Sequence, residues 1–182
     1  PMCVAATQIA LTQLTEISSR EGQRLATIIA EQAQQVHSVV TDLRTRLPAL
    51  LQAQNERIAN RLRDAMMQAF PEGLAHISDQ EISQRLAAEA SLLALKADVT
   101  EELDRLATHL KELSLIINAA DESTQTRAKQ SAVGKRLDFL FQEMNREANT
   151  LGSKSINGDM TKAAMDLKLL IEQMREQIQN IE

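Results

Sequence analysis

Between Val99 and Ala120 the apolar residues Val99, Leu103, Leu106, Leu110, Leu113, Ile117 and Ala120 alternate spacings of four and three. That is the period of a helix burying one narrow stripe against another helix; a strand would alternate every second residue. The helical pattern runs without Gly or Pro from residue 79 to 119. At 1.5 Å per residue that makes a rod of about 60 Å. A helix of this length packs against partner helices.

The rest of the chain agrees. Of its 182 residues 43% are hydrophobic but only 2% aromatic, with no Trp or Tyr. The apolar content is therefore Leu, Ile, Ala, Val and Met, among which Leu, Ala and Met are strong helix formers. Five Gly and three Pro leave little turn material for a sheet. The reading is an all-α chain, with long helices in an extended helical hairpin or bundle and heptad-like coiled-coil packing.

Two regions are expected. Residues 1–72 read as a helical hairpin region with a break near 47–48, because the residue before Pro48 resists the α conformation. Ser18 to Gly22 is a weaker point in its first half, and Phe70-Pro71-Glu72-Gly73 reads as a turn. Residues 73–182 read as a second helical domain: the long helix 79–119, a polar linker over 121–132, and helices over 133–151 and 159–182. Asp159 is the expected cap of the last helix, whose stripe is Met160, Ala163, Leu167, Leu170, Met174, Ile178 and Ile181. The Met residues at such positions read as core.

The formal charge of −5 excludes a basic field over the whole surface. A lone Cys3 allows neither an internal disulfide nor a Cys-based zinc site, which suits a reducing cytoplasm. No apolar run approaches the ~20 residues of a membrane span. A chain that opens on Pro with a helical pattern close behind is expected to have lost an upstream region.

Two segments can carry chemistry. In the first, 96–112, Asp98, Glu102, Arg105 and His109 are spaced four, three and four residues apart and share one helix face. Such a face can hold a divalent cation on carboxylate oxygens or place His109 as a proton carrier. It is equally the pattern of an ordinary ion-paired helix surface. In the second, 134–157, Gln142, Glu143, Arg146, Asn149, Thr150 and Ser153 lie away from the apolar face of Leu137, Leu140, Phe141, Met144, Ala148 and Leu151. Asn, Thr and Ser are weak helix formers, so their use implies hydrogen bonding to a ligand or within a polar network between helices. Arg127, Lys129, Lys135 and Arg136 form a cationic patch suited to phosphates. No aromatic is expected beside it, so base stacking is not expected as a main source of affinity. His37 and His76 read as surface residues.

The blocks DVTEELDRLATHL (98–110), GKRLDFLFQEMNREANTLGSKSIN (134–157) and LKLLIEQMREQIQNIE (167–182) closely resemble the C-terminal region of the YicC/YloC family of bacterial stress-associated endoribonucleases. Residues 1–95 resemble it more loosely, through Glu21-Gly22 and the helix–Pro48 pattern. The resemblance implies cleavage of RNA phosphodiester bonds, supported by Mn²⁺ or Mg²⁺, in a homo-oligomer such as a hexameric ring. It implies an additional N-terminal domain that this chain lacks. Asp98, Glu101, Glu102, Asp104, Arg105 and His109 match the first block, and Glu143, Arg146, Glu147 and Asn149 the second.

On that basis the expected metal ligands are Asp98, Glu102 and Glu143. The expected catalytic residues are His109, Glu102, Arg105, Glu143 and Arg146: His109 moves protons and the arginines stabilise the charged transition state. Arg127, Lys129, Lys135, Arg136, Arg146, Asn149 and Lys154 are expected to contact RNA. The alternative is a structural module for oligomerisation and RNA clamping without catalysis of its own. A third reading is a non-enzymatic RNA-binding adaptor.

Overall fold

The computed structural model describes the backbone of residues 2–69, 79–121 and 127–179, and the side chains of 4–61, 64, 84, 87, 91, 96, 98–119 and 132–179. These residues form four helices and no strand: α1 (Met2–Ala69), α2 (Asp79–Asp121), α3 (Arg127–Ser153) and α4 (Gly158–Gln179). The chain is all-α, as its apolar spacing predicts.

The helices close into a four-membered ring, α1 against α2, α2 against α3, α3 against α4, and α4 back against α1. The directions follow from the cross-helix pairs. Gln32 meets Gln173 and Arg46 meets Asp159, so α4 runs antiparallel to α1. Glu112 meets Arg136 and Asp98 meets Lys154, so α3 runs antiparallel to α2. This is an up-down-up-down bundle. Its core joins Val36, Val40, Leu43 and Leu47 of α1 to the Val99–Leu113 stripe of α2, to Phe141, Met144 and Leu151 of α3, and to Met160, Leu167 and Met174 of α4. Residues on both sides of position 72 therefore share one core.

Three local expectations change. The break near 47–48 does not interrupt α1, which continues through Pro48. Pro48 and Arg44 are both exposed, so the Arg44 carbonyl left without an amide partner faces water, while Leu47 and Leu51 stay anchored in the core. The expected linker 121–132 is shorter than its polarity suggests: Asp121 ends α2, and α3 begins at Arg127, where Arg, Ala, Lys and Gln are all good helix formers. The cap of α4 is Asn157, whose Oδ1 accepts the amide of Met160 at 2.9 Å. Asp159 sits in the first turn and pairs instead with Arg46 of α1.

The stripe of α4 is wider than a heptad seam. Met160, Ala164, Leu167, Ile171 and Met174 are buried, while Ala163, Leu170 and Ile178 are half-buried beside them. A helix wedged between two neighbours buries such a broad face. The turn at 70–73, His76 and Ile181 lie outside the described residues.

Candidate functional site

Two charged residues enter the core. Glu102 is 7% exposed and Glu147 is 4% exposed, and both stand in register with apolar stripes. Glu102 lies beside Leu103 and between Val99 and Leu106 on α2; Glu147 lies between Met144 and Leu151 on α3. The antiparallel packing of α2 on α3 brings their carboxyl groups close enough to shift each other's ionisation.

Two carboxylates held together away from water ionise less readily than either would alone. The surroundings decide which ionises first. The hydrogen bond from Glu147 holds Glu102 below the usual glutamate range, helped by the Lys154 ammonium and opposed by burial. Burial pushes Glu147 upward, and the neighbouring Glu102 adds to it, with Arg105 opposing only in part. Glu147 is thus the member that holds a proton more readily, and Glu102 the one that gives it up more readily. Environments that drive two carboxyls apart in this way assign an acid and a base.

Charged groups ring the pair. Lys154, in the turn between α3 and α4, donates to Glu102 at 2.9 Å and lies 3.4 Å from Asp98. Arg105 bridges Glu101 at 2.5 Å and Glu147 at 3.4 Å. Asp98, Glu101 and Arg105 are each more than half exposed, whereas the two glutamates beneath them are not. The result is a solvated rim of both signs over a buried pair of carboxyls.

The face shared by Asp98, Glu102, Arg105 and His109 does turn toward α3. Interpolating between the Arg105–Glu147 and Glu112–Arg136 pairs sets His109 level with about residues 139–143 of α3. Its Nδ1 is buried and has no hydrogen-bond partner. Glu143 is half-buried and makes no hydrogen bond or ion pair among the described residues, so the geometry does not join it to Asp98 and Glu102. Among the described residues no group of three or more His, Cys, Asp or Glu side chains gathers as a metal site. The ammonium of Lys154 stands between Asp98 and Glu102, where a Mn²⁺ or Mg²⁺ ion would have to bind. The residues as arranged do not fit the ion unless Lys154 moves.

The other sequence candidates divide. Arg136 is committed to Glu112, with donor distances of 2.8 and 3.3 Å. Asn149 donates to Asn145, which in turn reaches Glu172 of α4. Thr150 and Ser153 bond back to carbonyls of their own helix. Lys135 and Arg146 are exposed and make no side-chain hydrogen bond or ion pair among the described residues. Arg127 and Lys129 belong to α3, but their side chains lie outside the described residues. Glu147 was visible in the sequence only as a match to the second family block; the further signal was a carboxylate in phase with Leu140, Met144 and Leu151.

A cavity of about 330 Å³ lies on another side of α2, against α1. Its lining includes His37, Lys111 and Ser114 but no carboxylate. No described helix is long and apolar enough to cross a membrane.

A family model described as endoribonuclease YicC-like, C-terminal, matches residues 43–182. The chain is 44% identical over 172 residues to a probable endoribonuclease YicC of Haemophilus influenzae, covering 94% of this chain and 52% of that protein. It is 32% identical over 179 residues to a probable endoribonuclease YicC of Clostridioides difficile, covering 97% of this chain and 54% of that protein. The chain therefore spans about half the length of these curated relatives.

Proposed function

From its membership of the YicC-like family, to which the chain belongs through the C-terminal region, we propose that this bundle carries the RNA-cleaving chemistry of an endoribonuclease on the layer between α2 and α3. The observation that supports it is the buried Glu102–Glu147 pair beneath an exposed Arg105. A buried acid pair costs stability wherever a hydrophobic pair would pack, so its presence at a half-open rim calls for a function.

In this reading Arg105 meets the phosphate and offsets its charge, releasing Glu101 as it does so. The ribose 2′-hydroxyl attacks the phosphorus and gives its proton to His109, one turn beyond Arg105, as the new O–P bond forms. Glu147 gives its proton to the departing 5′-oxygen as the old P–O bond breaks. Glu102 is the anion that orients Glu147, and Lys154 keeps Glu102 anionic. Asp98 and Glu102 hold Lys154, so no step is assigned to a metal ion. A supporting Mn²⁺ or Mg²⁺ would enter only by displacing that ammonium. The cytoplasm is the proposed location.

The test is cleavage of end-labelled RNA by the natural protein carrying Glu102→Gln, with folding checked by circular dichroism. A folded variant that no longer cleaves supports the reading. A folded variant that cuts as fast as the unaltered protein removes the site.

A second reading, self-assembly, has its own observation. Val4, Leu11, Leu14 and Ile17 of α1 are exposed by more than half. Leu14 lies 11 residues, three turns, before Leu25, so the exposed stripe continues the face that α1 buries from Ile29 onward. We propose that this stripe packs in a homo-oligomer of the whole protein.

A further inference from the structure

The outward face of α3 is a single strip: Lys135, Phe139, Gln142, Arg146, Asn149 and Ser153, spaced four, three, four, three and four. All six are exposed. None of the six is a carboxylate, although half-buried Asp138 and Glu143 border the strip and Asp138 accepts from Gln142, and its two cations are uncommitted among the described residues. Phe139 is 63% exposed, while Phe141, two residues on, is fully buried. The chain has only three aromatic residues, so an aromatic placed on a solvent face one step from the core register is not there to fill the core. A ring left in water forgoes the stabilisation of burial and calls for another partner.

We propose that Phe139 is a base-stacking platform for single-stranded RNA, with Lys135 and Arg146 holding phosphates on either side of it. This rests on the functional reading above and names its substrate: an unpaired strand whose bases are splayed. Stacking on an aromatic face is tolerant of sequence, since every base has a π face. The neighbours of Phe139 on the strip are cations and amides, with no second large hydrophobic side chain, which suits a polyanion with flat bases better than an apolar protein surface. The strip is about 27 Å long. It carries Arg146, which precedes Glu147 on α3 and points outward where Glu147 points toward α2. The proposal runs against the expectation that stacking is not a main source of affinity, because an exposed aromatic does stand three residues from Arg136.

Binding of a fluorescent single-stranded RNA of about 10 nucleotides to the natural protein is compared with Phe139→Ala, Phe139→Leu and Phe139→Trp, using 2′-deoxy substitution to prevent cleavage. Because the side chain is exposed, all three variants are expected to fold. The Ala and Leu variants lose about tenfold in affinity, the scale of one stacked base, and Trp retains it. On a probe whose bases are removed, unaltered protein and variants bind alike. Equal affinity of Ala and unaltered protein for the intact probe overturns the proposal. So does retention by Leu with loss by Ala, which indicates apolar docking. Cleavage of unmodified RNA by Glu147→Gln, measured in parallel, keeps failure of the stacking platform distinct from failure of the catalytic reading.

Discussion

Glu147 of α3 and Glu102 of α2 stand together in the bundle core, each less than 10% exposed, and act on each other so that Glu147 is pushed up and Glu102 down. Because the surroundings favour the protonated form of Glu147 and the charged form of Glu102, the two are expected to respond differently to the same substitution. Glu147→Gln preserves a neutral, hydrogen-bonding side chain and is expected to change stability by less than about 1 kcal/mol. Glu102→Gln strips Lys154 of its buried anion and is expected to cost about 2 kcal/mol. Urea unfolding of the two variants measures the difference.

The same pair sets a pH dependence. Glu147 is raised in the folded state, so its contribution is complete below the unfolded glutamate value of about 4.3 and disappears as pH rises through the folded value. Glu102 is lowered, so its contribution is present above that unfolded value and disappears as pH falls through the folded one. Stability is therefore expected to decline on the alkaline side as Glu147 ionises. In Glu147→Gln that decline is absent. Urea midpoints followed upward from about pH 4, near the unfolded glutamate value, give the comparison.

Lys154 stands where a divalent cation would need to sit. Lys154→Met leaves Asp98 and Glu102 close together without their counter-ion, and is expected to destabilise by about 2 kcal/mol. Added Mn²⁺ is then expected to raise the Tm of the variant more than that of the unaltered protein. Equal shifts contradict the placement of Lys154 as the resident cation.

Most of the fold is legible from spacing alone. The stripe from Val99 to Leu113 is buried as its period requires, and Met144, Met160 and Met174 are core. Pro48 misleads because a proline rule sees only the local chain, whereas a 68-residue helix is held by a core stripe on either side of the proline. The linker misleads because polar, charged sequence resembles a loop even where, as at Arg127 to Gln130, the residues are good helix formers. At the site, the face of Asp98, Glu102, Arg105 and His109 is readable, but its partner is not. Glu143 and Glu147 lie one turn apart on α3, and only the relative rotation of α2 and α3, a tertiary quantity, selects Glu147.

The exposed stripe of α1 tests self-assembly. Leu11→Glu with Leu14→Glu is expected to leave helix content unchanged, since both side chains are solvated, and to lower the mass measured by light scattering. An unchanged mass assigns the stripe another partner.

The most direct test sets Glu147→Gln beside Glu143→Gln in one RNA-cleavage assay, because the two residues sit on neighbouring turns and differ in their tie to Glu102. Both variants are expected to fold. Glu147→Gln is predicted to slow cleavage about 100-fold or more, the scale of losing a positioned proton donor, and Glu143→Gln to change it only a few-fold. Cleavage that survives Glu147→Gln, or that is abolished by Glu143→Gln instead, contradicts a catalytic layer centred on the buried pair.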